Sequence, residues 1–188
     1  MRMKRILDLI VVLTAGLLLF LPLILTALAV RLTSRGPVLY WSDRVGKHNR
    51  IFRMPKFRSM RIDTPAVATH LLTNPEQYLT PIGSFLRKSS LDELPQLWSI
   101  LCGDMSLVGP RPALFNQHDL IKMRTDCGVH ALVPGLTGWA QINGRDEVPN
   151  EQKVALDHYY LEHASVMLDI RILVLTFVKV LRRDGITH

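Results

Sequence analysis

The sequence predicts a mainly α-helical chain with one small β-hairpin. Residues 1–35 form a membrane-embedded N-terminal helix, and residues 36–188 form a compact cytosolic body. Three observations predict it. Residues 9–30 are a 22-residue stretch without a charged side chain; as a helix it runs roughly 33 Å at ~1.5 Å per residue, enough for a bilayer core. Two short β-prone runs flank turn chemistry at Gly46-Lys47-His48-Asn49. The remainder is helical patterning punctuated by Gly and Pro.

The 188 residues amount to one domain with one modest core. Hydrophobic residues make up 48% of a chain that is 21% charged, so the apolar excess is local, and it sits at the N-terminus. Charge is local too. Residues 1–61 hold 12 Lys/Arg against 2 Asp/Glu, whereas residues 62–188 hold 11 against 14. A basic segment beside an apolar one suits anionic lipid headgroups. Nucleic acid also accepts a basic patch, but it gives no reason for the uncharged stretch, and no aromatics interleave with a basic strand. No nucleic-acid partner is expected. Cys102 and Cys127 are too far apart for a redox or zinc pair, which leaves a reducing, cytosolic setting as the default for the body.

The N-terminal segment is too long for a signal peptide, and no cleavage pattern follows it. Arg2, Lys4 and Arg5 precede it, and Arg31, Arg35, Arg44 and Lys47 follow. Positive residues favour the cytoplasmic side, so both flanks ask for the same side. Pro22 removes a backbone hydrogen bond inside the run and favours a kink. Two topologies satisfy these facts equally: a bent helix that enters and leaves on one face, and a straight span with a short basic tail outside. Asp8, at the edge of the run, is expected to neutralise Lys4 one turn earlier.

In the body, residues 38–41 and 51–54 read as paired strands. Residues 63–75 read as a loop, and one helix is expected over 75–88. A second should begin near Ser90 and run to about Leu101. Gly109-Pro110-Arg111-Pro112 is a rigid turn, and residues 115–126 are helical. Residues 134–138 and 143–145 read as loops. Two helices close the chain, about 150–163 and 166–183. The last is apolar around most of its circumference, so it is either buried or amphipathic in the membrane interface.

Ser90-Leu91-Asp92-Glu93 has two compatible readings. As structure, Ser90 and Glu93 form a capping box and the acids suit a helix dipole. As chemistry, one carboxylate attacks phosphorus while its neighbour holds Mg²⁺. The phosphate-binding candidates are basic residues near irregular backbone: Lys56, Arg58, Arg87, Arg111 and Arg145. Arginines pinned by Pro and Gly present a planar fork for bidentate contact. The seven histidines show no metal-ligand spacing.

The motifs are then recognisable. They are Lys56-Phe57-Arg58-Ser59-Met60, Leu91-Asp92-Glu93-Leu94-Pro95-Gln96-Leu97, and Gly103-Asp104-Met105-Ser106-Leu107-Val108-Gly109-Pro110-Arg111-Pro112. Pro134-Gly135-Leu136-Thr137-Gly138 and Gln141-Ile142-Asn143-Gly144-Arg145 follow, then Asp157-His158-Tyr159-Tyr160 with Ser165 and Asp169. With these the chain resembles, over nearly its whole length, the short-form monotopic polyprenyl-phosphate phosphoglycosyl transferases among the bacterial sugar transferases.

The resemblance implies a re-entrant N-terminal helix in the bacterial inner membrane, with the catalytic body on its cytoplasmic face. It implies a ping-pong reaction. Asp92 attacks the β-phosphate of a UDP-sugar and releases UMP, Glu93 binds Mg²⁺, and polyprenyl (undecaprenyl) phosphate takes the sugar phosphate from Asp92. The expected partners are thus a UDP-sugar, polyprenyl phosphate and membrane lipid, and a homodimer is compatible with them. Three positions depart from the usual pattern: Leu21 stands where Ser commonly precedes the bend proline, Ser99 where Asn is common, and Ser42 where Gln is common.

Overall fold

The structure is a computed structural model that describes residues 2–65, 72–144 and 148–182. The chain opens with α1 (Arg2–Leu18) and α2 (Phe20–Thr33). The pair is bent by 63°. Backbone bonding runs on either side of the break, with the Leu19 N–H on the Ala15 carbonyl at 2.8 Å and the Leu23 N–H on the Leu19 carbonyl at 2.9 Å. Pro22 explains the bend: it has no N–H to offer, and in a straight helix its ring would collide with the Leu18 carbonyl. No single described helix is long and apolar enough to cross a membrane, but the bent pair together has the length and composition. At the bend, Leu17 and Leu18 are 80% and 74% exposed.

Both outer ends of the pair are fastened to the rest of the protein. Arg5 donates to the carbonyls of Ile100 and Leu101, and Val12 lies in the main core. At the other end Val30 is buried with Phe57 and Leu86. Asp8 does not neutralise Lys4. It is buried, where it accepts from the Ser106 hydroxyl at 2.8 Å and the Leu107 N–H at 3.1 Å. Lys4 instead pairs with Asp169 at 2.6 Å, beside the Tyr160 hydroxyl. An i,i+4 ion pair gives only about 0.2–0.5 kcal/mol, whereas a buried carboxylate without donors costs several times more.

The predicted hairpin is present and longer than expected. Strands β1 (Leu39–Val45) and β2 (Ile51–Phe57) pair antiparallel, in register from Leu39 opposite Phe57 to Val45 opposite Ile51. His48 and Asn49 in the turn take φ of 54° and 59°. Of the predicted 63–75 loop, residues 66–71 lie outside the described residues. The single helix expected over 75–88 is two pieces, a 3-10 turn at Pro75–Tyr78 and α3 (Gly83–Lys88). Between them Leu79 bridges to Met60, and the Thr80 N–H reaches the Ser59 carbonyl at 3.0 Å. Pro81 disfavours a helical Thr80, so the chain extends there.

The helix expected from Ser90 starts late. Leu91–Glu93 is a separate 3-10 turn, and α4 (Gln96–Cys102) begins after Pro95. The loop predicted over 134–138 is partly a strand: β4 (Gly135–Thr137) pairs parallel with β3 (Ser106–Val108). Its glycines look like turn residues but serve close approach. A Cβ on Gly135 would lie 2.1 Å from the Gly109 nitrogen, and one on Gly138 2.1 Å from the Gly109 carbonyl oxygen. The remaining helices are α5 (His118–Asp126), α6 (Trp139–Asn143), α7 (Asn150–His163) and α8 (Val166–Arg182). The main core joins Val12, Met54, Ile100, Met105, Val108, Ile142, Tyr160 and Ile172. Helix α8 buries Ile172 and leaves Met167, Ile170, Val174 and Phe177 exposed, so it is amphipathic with an apolar outer face.

Candidate active site

Three separate segments bring Lys56, Glu93 and Arg111 together. Lys56 comes from the end of β2, Glu93 from the 3-10 turn before α4, and Arg111 from the segment after β3. The Lys56 Nζ donates to Glu93 Oε1 at 2.8 Å, and Arg111 Nη2 reaches the same oxygen at 3.4 Å. Asp92, next to Glu93, is only 7% exposed. The capping box does not form. Ser90 takes a left-handed φ of 56° and its side chain makes no capping bond, while Glu93 turns towards Lys56 and Arg111. A left-handed serine is uncommon, and Pro95 stops the turn from merging into α4.

The two carboxyls are driven in opposite directions. Burial pushes Asp92 up to about 6; Lys56, Arg87 and Arg111 oppose the rise and the Glu93 charge reinforces it. Burial also pushes Glu93 up, but Lys56 and Arg111 overcome it and hold Glu93 well below the usual carboxylate range. Groups pushed apart in this way mark functional sites more often than chance. The result is a Glu93 whose ionised form is favoured beside an Asp92 whose protonated form is favoured by burial.

Arg87, in the last turn of α3, contributes to the field at Asp92, and its Nη1 lies 3.6 Å from the Met60 sulfur. Arg58 faces the end of α2. It is buried, and its Nη2 donates to the hydroxyl and carbonyl of Ser34, at 2.7 and 3.0 Å, at the end of α2. Its Nε and Nη1 have no partner among the described residues. Arg145 lies outside the described residues. Among the described residues no group of three or more His, Cys, Asp or Glu is gathered to hold a metal.

Sequence reasoning left one feature of the site unassigned. Arg124 on α5 holds Asp157 on α7 through Nε at 3.0 Å and Nη2 at 2.6 Å, and donates from Nη1 to the Arg111 carbonyl at 2.8 Å. Asp157 opens the Asp157-His158-Tyr159-Tyr160 motif. Arg124 has no local sequence feature to separate it from any surface arginine on a helix.

The family model for bacterial sugar transferases matches residues 1–183. The chain belongs to this family. As a member it is a transferase. Among its relatives is the uncharacterized sugar transferase EpsL of Bacillus subtilis (strain 168), 41% identical over 99% of this chain and 91% of that protein. Another is the UDP-glucose:undecaprenyl-phosphate glucose-1-phosphate transferase of Xanthomonas campestris pv. campestris, 44% identical over 85% of this chain. The undecaprenyl-phosphate galactose phosphotransferase of Salmonella typhimurium is 39% identical over 80% of this chain. This sugar transferase spans 35% and 34% of the lengths of those two proteins.

Proposed function

We propose that this sugar transferase moves a sugar 1-phosphate from a UDP-sugar to undecaprenyl phosphate, as the first membrane step of a bacterial glycan pathway. The observation that carries the proposal is the divided carboxylate pair among Lys56, Arg87 and Arg111. The names of the relatives support the substrate classes. Two anionic substrates must meet at a carboxylate, so the chemistry requires cationic groups around it.

In the first half-reaction an Asp92 oxygen attacks the β-phosphorus of the donor. The bond from that phosphorus to the bridging oxygen breaks, and UMP leaves with the bond's electrons. The sugar phosphate is then held on Asp92 as an acyl phosphate. In the second half-reaction a phosphate oxygen of undecaprenyl phosphate attacks the same phosphorus, and the Asp92 carboxylate leaves. Lys56 and Arg111 orient Glu93 and offset negative charge, and Arg87, Arg111 and Arg145 hold donor or acceptor phosphates. We assign Arg58 to the phosphate-binding set at its edge nearest α2.

The donor set fits Mg²⁺: Lys56 and Arg111 both bond Oε1 of Glu93, which leaves Oε2 as the oxygen that would take the ion, and hard cations take one or two carboxylates plus phosphate oxygens. Held by Glu93, the ion would supply charge neutralisation at the diphosphate.

The two fastened ends support a re-entrant topology. The start of α1 and the end of α2 bind the same body, as a pair that enters and leaves on one face requires. We place residues 1–35 in the cytoplasmic membrane as a re-entrant helix, and residues 36–188 on its cytoplasmic side. The exposed apolar face of α8 suits the interface.

Purified protein given a panel of UDP-sugars without acceptor tests the reaction. It should release one UMP per active site and stop, and the peptide containing Asp92 should gain the mass of a sugar phosphate. Undecaprenyl phosphate should restart turnover. No adduct and no burst with any donor that is turned over would overturn the covalent mechanism.

A further inference from the structure

Arg111 sits in a segment poorly able to hold itself. Pro110 and Pro112 on either side have no backbone N–H, so the segment is secured largely through its carbonyls. Four successive carbonyls are taken by donors from different parts of the chain. Gly135 N–H serves Pro110 at 2.9 Å, and Val45 N–H serves Ala113 at 2.9 Å. The Arg44 Nη1 serves Pro112 at 3.1 Å, and the Arg124 Nη1 serves Arg111 at 2.8 Å. The last bond grips the peptide of the residue whose side chain reaches Glu93. Its donor is itself held: Nε and Nη2 of Arg124 both meet Asp157 Oδ2, and the two side chains are 11% and 1% exposed.

We propose that Arg124, locked by Asp157, is a positioning residue that aims the Arg111 guanidinium at Glu93 and the donor phosphate. The inference rests on the role given to Arg111 above. Arginine suits the position because its planar fork bonds the carboxylate with one edge and the carbonyl with the remaining nitrogen. Lysine keeps the charge and cannot span both partners in fixed geometry. The ion pair also joins α5 to α7, so a purely architectural role is the competing account, and the test must separate the two.

The test is a double-mutant cycle on UMP release, with UDP-glucose or UDP-galactose, whichever the wild type turns over, and undecaprenyl phosphate. Arg111→Lys, Arg124→Lys and the double variant are compared, with melting temperature recorded for each. Misplacing a binding group by about 1 Å costs on the order of 10²-fold, so Arg124→Lys should lower kcat/KM by about that factor. In the Arg111→Lys background the same change should cost no more than about twofold, because coupled residues are non-additive. If Arg124→Lys does not fold, Asp157→Asn, which keeps an acceptor oxygen, carries the same cycle. Losses that multiply in full, or a silent Arg124→Lys that folds, overturn the positioning role and leave Arg111 at the site. A silent Arg111→Lys overturns both assignments.

Discussion

Asp92→Asn should abolish turnover and stabilise the fold, and the stabilisation should depend on pH in a calculable way. The buried carboxyl moves from its ordinary 3.8 to about 6. Between those values the folded protein holds a proton that the unfolded chain has released, so stability falls as pH rises through the window. At ~1.36 kcal/mol per pH unit the full penalty is about 3 kcal/mol above pH 6. Linkage then gives a penalty of about 1 kcal/mol at pH 4.5 and about 3 kcal/mol at pH 7.5. Asparagine does not titrate. Any constant effect of the amide on packing cancels when its advantage is compared at the two pH values, leaving about 2 kcal/mol. For a chain of this size that corresponds to roughly 4–8 °C of added melting-temperature difference. Melting followed by tryptophan fluorescence, in detergent without Mg²⁺ at pH 4.5 and 7.5, measures it. An equal gap at both pH values, or a gap that shrinks at the higher one, would refute the argument that burial strains Asp92.

Three further outcomes follow from the same geometry. Lys56→Met removes the largest charge opposing the rise of Asp92, so the acid limb of kcat/KM for the donor should move above its wild-type position; a limb that moves down would contradict the field assigned to Lys56. Glu93→Gln should stay folded but melt lower, because the amide gives up the ion pairs to Lys56 and Arg111, and should lose most activity; wild-type activity that persists in EDTA would remove the metal from the proposal. In a chain with Cys102 and Cys127 replaced, Met3→Cys and Arg35→Cys should label from the same side of the membrane, and Pro22→Ala should favour a straight span; labelling of position 3 from the periplasm alone would sink the re-entrant arrangement.

The elements legible in the sequence are those fixed by local chemistry. Pro22 announces the bend because its missing N–H acts within one turn. The hairpin shows in its turn residues, and α7 and α8 show in their uninterrupted length. What was hidden depends on partners far along the chain. Asp8 and Lys4 are ideally spaced to pair, yet Ser106, Leu107 and Asp169 draw them apart. Ser90 and Glu93 match a capping box, yet Lys56 from β2 draws the glutamate away. The glycines at 135 and 138 read as turns because sequence records their missing side chains but not the backbone of Gly109 that fills the space. The acidic pair itself was legible as a motif. Its electrical division was not, because that depends on burial and on three cations from three segments.

The same long-range wiring ties the bent helix pair to the candidate site. Side chains alternate along a strand, so Lys56 and Phe57 leave β2 on opposite faces. Lys56 grips Glu93, and Phe57 packs on Val30 near the end of α2. Arg58, one residue on, holds Ser34 at the tip of that helix. On the other side of the acidic pair, α4 offers its Ile100 and Leu101 carbonyls to Arg5 near the start of α1. Each end of the bent pair is therefore tied to an element that also touches or adjoins Asp92-Glu93. In the proposed reaction the acceptor phosphate lies at a height set by the bilayer, and the nucleophile has to lie at the same height. A bent helix pair fastened at both ends beside the Asp92-Glu93 turn would fix that height through packing alone. A straight span would leave one of its ends across the bilayer from the body and could fasten only the other.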